Sequence, residues 1–288
     1  MTEFDDLKVS TRTIIASARM ELDIGTIFRE YPMNEREIPG VFLSSPTKTR
    51  IETMYFKNEI RTQEQPVVTH LEGAGKKSFR NALNVIMTIG LLKKINFKVS
   101  KNGKFQLTGC KNMIHAKACV FSFLETLRES VPTGYIMTHP PLFRVHFETV
   151  MTNVDCSMGY CLNRQALDRV VNTNTLYHSL LETSFGYTGV NIKLPVTMDW
   201  KALKIPVLEW TPGQDDTLRQ YQQSLKELTA SETLSTTPLK KKFNTFLVFH
   251  SGKFIMSGMR EETMRDDYYR FIRILQDHED EIKEILLQ

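Results

Sequence analysis

The sequence of 288 residues has no apolar run near the roughly 18 residues that a helical membrane span needs. Its start, Met1-Thr2-Glu3-Phe4-Asp5-Asp6, is acidic and lacks the apolar stretch of a secretory leader. An intracellular protein with no membrane partner is therefore expected. Cysteine is scarce. Cys110, Cys119, Cys156 and Cys161 form no CxxC pair, and no histidine stands at zinc-finger spacing from them. Reduced thiols are expected, with neither a disulfide framework nor a metal. Neither sign of charge dominates: 37 Lys and Arg against 33 Asp and Glu leave +4. A basic surface must then come from where the cations sit, not from their number.

Catalytic signatures are missing too. No histidine adjoins a serine or cysteine in a nucleophile motif. Gly75-Lys76-Lys77-Ser78 fails as a phosphate loop, because His70 stands where the first glycine is required and Lys77 separates the Gly-Lys pair from Ser78. A basic loop opening a helix still offers backbone amides to phosphate. Glu261-Glu262 and Asp266-Asp267 are acids that suit the first turns of a helix, rather than an acid–base pair. The expectation is a protein that is not an enzyme and takes no cofactor.

What the sequence does contain is one phrase used twice. Asn102-Gly103-Lys104-Phe105-Gln106-Leu107-Thr108-Gly109-Cys110-Lys111 returns as Ser251-Gly252-Lys253-Phe254-Ile255-Met256-Ser257-Gly258-Met259-Arg260. A unit copied once, half a chain apart, is no solenoid. It points to two repeats, residues 1–135 and 136–288, and a two-fold molecule suits a nearly two-fold ligand such as duplex DNA.

Each half predicts an α+β plan. In the first, strands are expected at Val9–Ala18, Val41–Leu43 and Ile51–Phe56, with a helix over Leu22–Phe28 capped by Asp23. A hairpin over Lys98–Thr108 turns at Asn102-Gly103 and is followed by a helix over Met113–Arg128. In the second, strands are expected at Phe143–Val154 and at Gly189–Leu194, the latter ended by Pro195, with a helix over Leu162–Val171. A hairpin over Phe243–Met256 precedes a long helix, Thr263–Leu287. Two insertions are expected, about 62–94 with a helix from Ser78 to Gly90, and about 200–242 with a helix over Asp215–Leu228.

Side chains alternate along a strand. Lys104, Gln106 and Thr108 therefore share one face and Phe105 and Leu107 the other. Lys253, Ile255 and Ser257 likewise oppose Phe254 and Met256. A cation at the edge with a small hydroxyl deeper in suits a duplex, the ammonium meeting a phosphate and the small residue letting the strand approach the groove floor.

The doubled Ser/Asn-Gly-Lys-Phe-x-x-Ser/Thr-Gly phrase trailed by helices, with Leu22-Asp23-Ile24 opening a helix, resembles the TATA-box-binding protein family. The insertions and Gly75-Lys76-Lys77-Ser78-Phe79-Arg80-Asn81-Ala82 resemble its divergent versions in large DNA viruses. The resemblance implies a pseudo-two-fold saddle: a curved antiparallel sheet lies on the DNA minor groove, helices cover the convex face, and apolar side chains wedge between base steps. It implies phosphate contacts from Lys104, Lys111, Lys193, Lys253 and Arg260, and groove-floor positions for Gln106, Thr108, Ile255 and Ser257. Phe249 and Tyr187, or Phe185 in its place, match the wedges of the second half. The family's central asparagines fall on Thr11 and Thr149. The wedges of the first half fall on Ile38, which is apolar enough to serve, and on Ser100, which is not, with Phe97 as another register. A strong kink at the second repeat and a weak one at the first are expected.

By that resemblance the protein is a monomeric transcription factor that recruits an RNA polymerase and general factors such as a transcription factor IIB-like protein. Its place is the nucleus or a viral factory in the host cytoplasm, with packaging in the virion. The alternatives are a scaffold on the same fold that has lost DNA bending, and a substrate-binding attachment of a hybrid nuclease, for which no acidic constellation speaks.

Overall fold

Val9–Ala18 forms β1 as expected, because Ile14, Ala16 and Ala18 bury one face while Ile15 and Ser17 stay on the other. The chain continues through β2 (Met20–Leu22), α1 (Ile24–Glu30), β3 (Glu35–Ile38), β4 (Thr47–Phe56), β5 (Glu59–Thr62), β6 (Thr69–His70), β7 (Ala82–Ile89), β8 (Lys93–Ser100), β9 (Lys104–Cys110), α2 (Met113–Ser130) and β10 (Tyr135–Met137). There follow β11 (Phe143–Ser157), α3 (Arg164–Asn174), β12 (His178–Leu181), β13 (Gly189–Val196), β14 (Lys204–Thr211), β15 (Gln214–Ser224), α4 (Leu225–Ser231), β16 (Lys242–Phe249), β17 (Lys253–Gly258), α5 (Glu261–Asp277) and α6 (Glu279–Ile282). This computed structural model describes residues 2–40, 42–43, 45–70, 81–137, 142–175, 177–181, 189–197, 199, 202–211, 213–231 and 242–284. Among them no helix is long and apolar enough to cross a membrane.

The chain makes two compact units. The amino unit comprises residues 13–148 and 200–233, the carboxyl unit residues 1–12, 149–199 and 234–288. In the amino unit the strand order is β1-β9-β8-β7-β4, extended by β5 and β6, with β3 also on β4. In the carboxyl unit it is β11-β17-β16-β13-β12. Each unit has its own core. The two orders are the same plan: first strand, then the two arms of the repeated hairpin, then two further strands. Both units are α+β.

Matching aromatic triads hold the hairpin under its helix. Phe97, Phe105 and Phe123 have ring centroids 6.3, 5.9 and 5.6 Å apart in the amino unit. Phe246, Phe254 and Phe271 stand 6.2, 4.2 and 5.5 Å apart in the carboxyl unit. All six rings are buried, each contributing about 2–3 kcal/mol of burial.

The turns match as well. Gly103 N donates to Ser100 O (3.1 Å) and Gly252 N to Phe249 O (3.0 Å). The segment after each first strand then crosses the turn. Ala18 N donates to Gly103 O and Leu22 N to Lys101 O, while Met158 N donates to Gly252 O and Leu162 N to His250 O. Side-chain N-caps follow at Asp23, accepting from Gly25 N and Thr26 N, and at Asn163, accepting from Ala166 N.

Several expectations are corrected. Residues 82–89 form β7, not a helix: Leu83, Val85, Met87 and Ile89 point into the core at period two. Most of 215–228 is strand β15, paired with β14, and only its end is helical, in α4. Phe42 is no strand residue; it is 3% exposed in a turn, its ring 5.1 Å from Phe121, and Val41 lies outside the described residues. β13 runs through Pro195, because β12 pairs only as far as Lys193 and the missing N–H costs no ladder bond there. The helix expected over Thr263–Leu287 stops at Asp277 as α5, the short α6 follows, and the chain turns back so that Asn163 N binds Ile282 O and Glu284 N binds Cys161 O.

The described residues of 202–231 pack on the amino unit. Trp210 lies 5.2 Å from Phe121 and 5.1 Å from Phe143, and its Nε1 donates to the buried Glu125 carboxylate at 2.8 Å. That cover buries α2 on nearly every side. α5 buries a single stripe of Met264, Tyr268, Phe271, Ile272 and Leu275.

The turn glycines are required twice over. Gly103 has φ +69° and a β-carbon there would lie 2.6 Å from Ala18 O and 2.7 Å from Met20 O. Gly252 has φ +74°, and its β-carbon would lie closer still to Tyr160 O. Gly159, at φ +81°, has open space around it. Gly103→Ala and Gly252→Ala should each cost about 2 kcal/mol or more, and Gly159→Ala about 1 kcal/mol. Urea unfolding checks this, and unchanged midpoints in the first two would refute the close approach.

Candidate nucleic-acid interface

Alternation in β9 exposes Lys104, Gln106 and Thr108 and buries Phe105 and Leu107. Cross-strand register then sets their neighbours on the open face. Thr108 pairs with Asn96 and Asn96 with Ile86. Gln106 pairs with Lys98, Lys98 with Asn84, and Asn84 with Tyr55. Lys104 O accepts from Ser100 Oγ at 3.1 Å. The result is a face of ammonium, amide and hydroxyl groups that also carries Ile86 and Tyr55.

Carboxylates lie on that face too, Glu35 beside Lys48 and Arg50 and Glu52 nearer the centre. A bulge in β4 between Ile51 and Thr53 brings Glu52 over β7. Its carboxylate accepts from Lys94 Nζ (2.7 Å), Thr88 Oγ1 (2.7 Å) and Arg50 (3.3 Å). The bond from Lys94, then that from Thr88, outweigh desolvation and hold its pKa at about 2.

The carboxyl unit repeats the geometry with other side chains. Ser257 pairs with Asn153 on one side and Thr245 on the other, and Thr245 continues to Lys193 and His178. Ile255 pairs with Asp155 and Leu247, then Asn191 and Leu180. Lys253 pairs with Ser157, and Phe249 with Gly189. A β-carbon at Gly189 would lie 2.6 Å from Leu247 Cδ1, so glycine leaves room for that side chain. Ile255, Leu247 and Phe249 are half-buried, and Leu180 is 63% exposed. This face carries the aliphatic and aromatic side chains of Ile255, Leu247 and Phe249 with Asp155 and Asn191 beside them and lysines at its margins.

The other expected residues fall as follows. Lys111 is exposed ahead of α2, its N–H 3.3 Å from His115 Nδ1. Burial, then Lys93 and Lys111, lower the His115 pKa, which keeps that ring neutral and able to accept. Lys193 is exposed on β13, and Arg260 is half-buried just before α5. Thr11 and Thr149 are half-buried on β1 and β11. Tyr187 and Phe185 lie outside the described residues. Burial raises the thiol pKa of Cys119, and that of Cys156 to about 12, so both stay protonated at neutral pH.

Three placements are corrected. Ile38 is 1% exposed in the amino-unit core and has no surface with which to wedge. It belongs to β3, whereas Tyr187 precedes β13; the strand in the place of β13 in the amino unit is β7, so the matching position falls at 71–80 or just beyond, largely outside the described residues. Phe97 is also core, and the shared turn bonds align Ser100 with Phe249. Thr11 and Thr149 do not correspond. The bonds of Ala18 and Leu22, matched by those of Met158 and Leu162, align β1 with β11 at a spacing of 140, which pairs Thr13 with Asn153. Asn153, an amide beside Ser257 whose own Oδ1 has no hydrogen-bond partner among the described residues, is an open-face residue that the sequence reading did not name.

No known family's sequence pattern matches the chain. It is 27% identical over 206 residues to "Uncharacterized protein 335L" of Invertebrate iridescent virus 6, an alignment covering 69% of this chain and 61% of that protein. The chain thus spans about three-fifths of the length of this curated relative. Among solved structures, Methanococcus jannaschii TBP is similar over 94% of this chain and 98% of its own, with 10% identity and a TM-score of 0.41.

The Glu52 cluster makes an acid-stability prediction. Its carboxyl titrates lower folded than unfolded, so its contribution is complete above about pH 4.5 and is lost as pH falls towards about 2. Glu52→Gln should flatten the loss of stability over that window in acid unfolding. An unchanged pH profile would contradict the Lys94–Glu52–Thr88 geometry.

Proposed function

We propose that the protein is a DNA-binding transcription initiation factor of the TATA-binding type, with no catalytic activity. The observation that carries this reading is the recurrence of one hairpin architecture in both units, each with a lysine at the turn and a small hydroxyl deeper on the open face. In this reading the two open faces line one saddle on the minor groove, with pseudo-two-fold symmetry in a monomer. Phe249 enters a base step at one end and Ser100 leaves the other end without an aromatic wedge, so the bend is uneven.

RNA polymerase and a transcription factor IIB-like protein are the proposed partners. The covered surface of α2 favours docking on α5, where Glu262, Arg265, Asp266, Tyr269 and Arg273 are exposed. The relative in an iridescent virus supports action in an infected cell, in the nucleus or a viral factory, with packaging in the virion.

A second reading is a protein-interaction scaffold on the same fold with weak DNA bending. The serine at position 100, where the carboxyl unit has Phe249, favours it.

Binding to duplex DNA under a salt titration separates the two. Five phosphate contacts, from Lys104, Lys111, Lys193, Lys253 and Arg260, give a slope of log K against log salt of about −4.5. Lys253→Ala should reduce it by about 0.9. Phe249→Ala should keep the slope but lose most of the bend seen by FRET. Absence of a salt slope would favour the scaffold, and equal kinks at both ends would contradict the uneven bend.

A further inference from the structure

Within the carboxyl unit, residues 2–6 form an arm that lies on α5. Phe4–Asp6 makes a single 3-10 turn. The Phe4 ring is buried, 5.6 Å from the Tyr268 ring and 5.5 Å from the Arg265 guanidinium carbon. An acid stands on each side of it. Asp5 accepts from both terminal nitrogens of Arg265, and Glu3 Oε2 accepts from the Tyr269 hydroxyl at 2.5 Å. Backbone atoms are held as well: the Tyr268 hydroxyl donates to Thr2 O at 2.7 Å, and Phe4 N donates to the Tyr269 hydroxyl at 3.2 Å. Three side chains at i, i+3 and i+4 of one helix thus contact four consecutive residues through a ring, two carboxylates and two peptide groups. In the arm only the ring is buried. Glu3, Asp5, Arg265 and Tyr269 are exposed, where ion pairs hold weakly.

In the amino unit the matching helix face has a larger cover. The N-cap residues Asn112 and Arg260 align α2 with α5 at a spacing of 148, which also matches Phe123 with Phe271 of the two aromatic triads. Lys117, Phe121 and Glu125 then correspond to Arg265, Tyr269 and Arg273. The β14–β15 hairpin engages all three on α2: Lys117 Nζ donates to Gln220 Oε1 at 2.7 Å, the Phe121 ring meets Trp210, and Glu125 accepts from Trp210 Nε1. The arm engages only the first two on α5. Arg273, one turn further on, is exposed and has no hydrogen bond or ion pair among the described residues. The arm runs from the Tyr269 turn at Glu3 to the Arg265 turn at Asp5, so a segment entering ahead of Glu3 comes past Arg273. Glu3 is extended, with φ −65° and ψ 148°. Two such residues span about 6.5 Å and four helical residues about 6 Å, so an acid two places before Glu3 meets Arg273. In this sequence that position is Met1, which has no carboxylate. Resting on the docking role proposed for α5, we infer that Arg265, Tyr268, Tyr269 and Arg273 form a peptide-binding site, with Thr2–Asp6 as its resident pseudo-ligand. The partner is a protein segment of the pattern acid-x-acid-aromatic-acid. Tethering gives the arm a high local concentration, so a segment that only copies it is kept off. The partner displaces it by adding the carboxylate at Arg273.

The test is fluorescence anisotropy on the full chain with two labelled, acetylated peptides: a copy of the arm, Thr-Glu-Phe-Asp-Asp, and an extended probe, Glu-Thr-Glu-Phe-Asp-Asp. The extended probe should bind about three- to fivefold more tightly than the copy, the scale of one exposed ion pair. Phe4→Ala with Asp5→Ala loosens the arm and should raise the affinity for both peptides at least about tenfold, because the tethered competitor is gone. Glu3→Gln with Asp5→Asn keeps the buried ring and should shift both in the same direction. Adding Arg273→Ala to that variant should remove the advantage of the extended probe and leave the copy unchanged. A probe with alanine in place of phenylalanine should not bind. Equal affinity of the wild type and both arm variants, or no binding to any of them, would overturn the inference. So would an extended probe that binds no better than the copy, or that keeps its advantage after Arg273→Ala. The duplex salt titration is run on the same samples. DNA binding without peptide binding overturns this inference alone, and peptide binding without DNA binding overturns the function proposed above and leaves this site.

Discussion

At the head of each hairpin a peptide carbonyl occupies the space where a β-carbon would be. Tyr160 O lies against Gly252, and Met20 O with Ala18 O against Gly103. That contact permits only glycine, and glycine also supplies the positive φ of the turn. The crossing segment is tied down by the two backbone bonds behind it, which fixes where the first strand ends and where the capped helix begins. The register of the hairpin against the first strand follows, and so does the side that each side chain takes. The phenylalanine triads then have only one way to face their helix, and the lysine, central residue and hydroxyl of each hairpin are turned away from it.

The two units use that constraint for different surfaces. The amino unit covers α2 with the β14–β15 hairpin and carries an open face on which Glu52 neutralises Lys94. The carboxyl unit leaves α5 with one buried stripe and carries Ile255, Leu247 and Phe249 on its open face. The two units are thus alike inside and unlike outside.

The hairpins were legible in the sequence, because Asn102-Gly103, Ser251-Gly252 and the alternation beyond them are local signals. So was the Asp23 cap. What was not legible depends on pairing with distant strands. β7 reads as an apolar run until β4 and β8 flank it, and β15 is polar because only its partner β14 supplies core residues such as Val207 and Leu208. The bulge at Glu52 shifts the buried positions of β4 from Thr49 and Ile51 to Met54 and hides its period. Asn153 was missed for a related reason. The repeat spacing is 140 at the first strand and 149 at the hairpin, so an alignment anchored on the hairpin alone cannot place β11 on β1. The open faces of β9 and β17 were readable, but their neighbours on β7, β8, β13 and β16 were not.

Alkylation interference on a bound duplex addresses the central claim most directly, because one reagent marks both grooves: dimethyl sulfate methylates adenine N3 in the minor groove and guanine N7 in the major groove. If the open strand faces hold the minor groove, methyl groups at adenine N3 block binding and those at guanine N7 leave it intact. Interference at guanine N7, or at neither atom, would contradict the account.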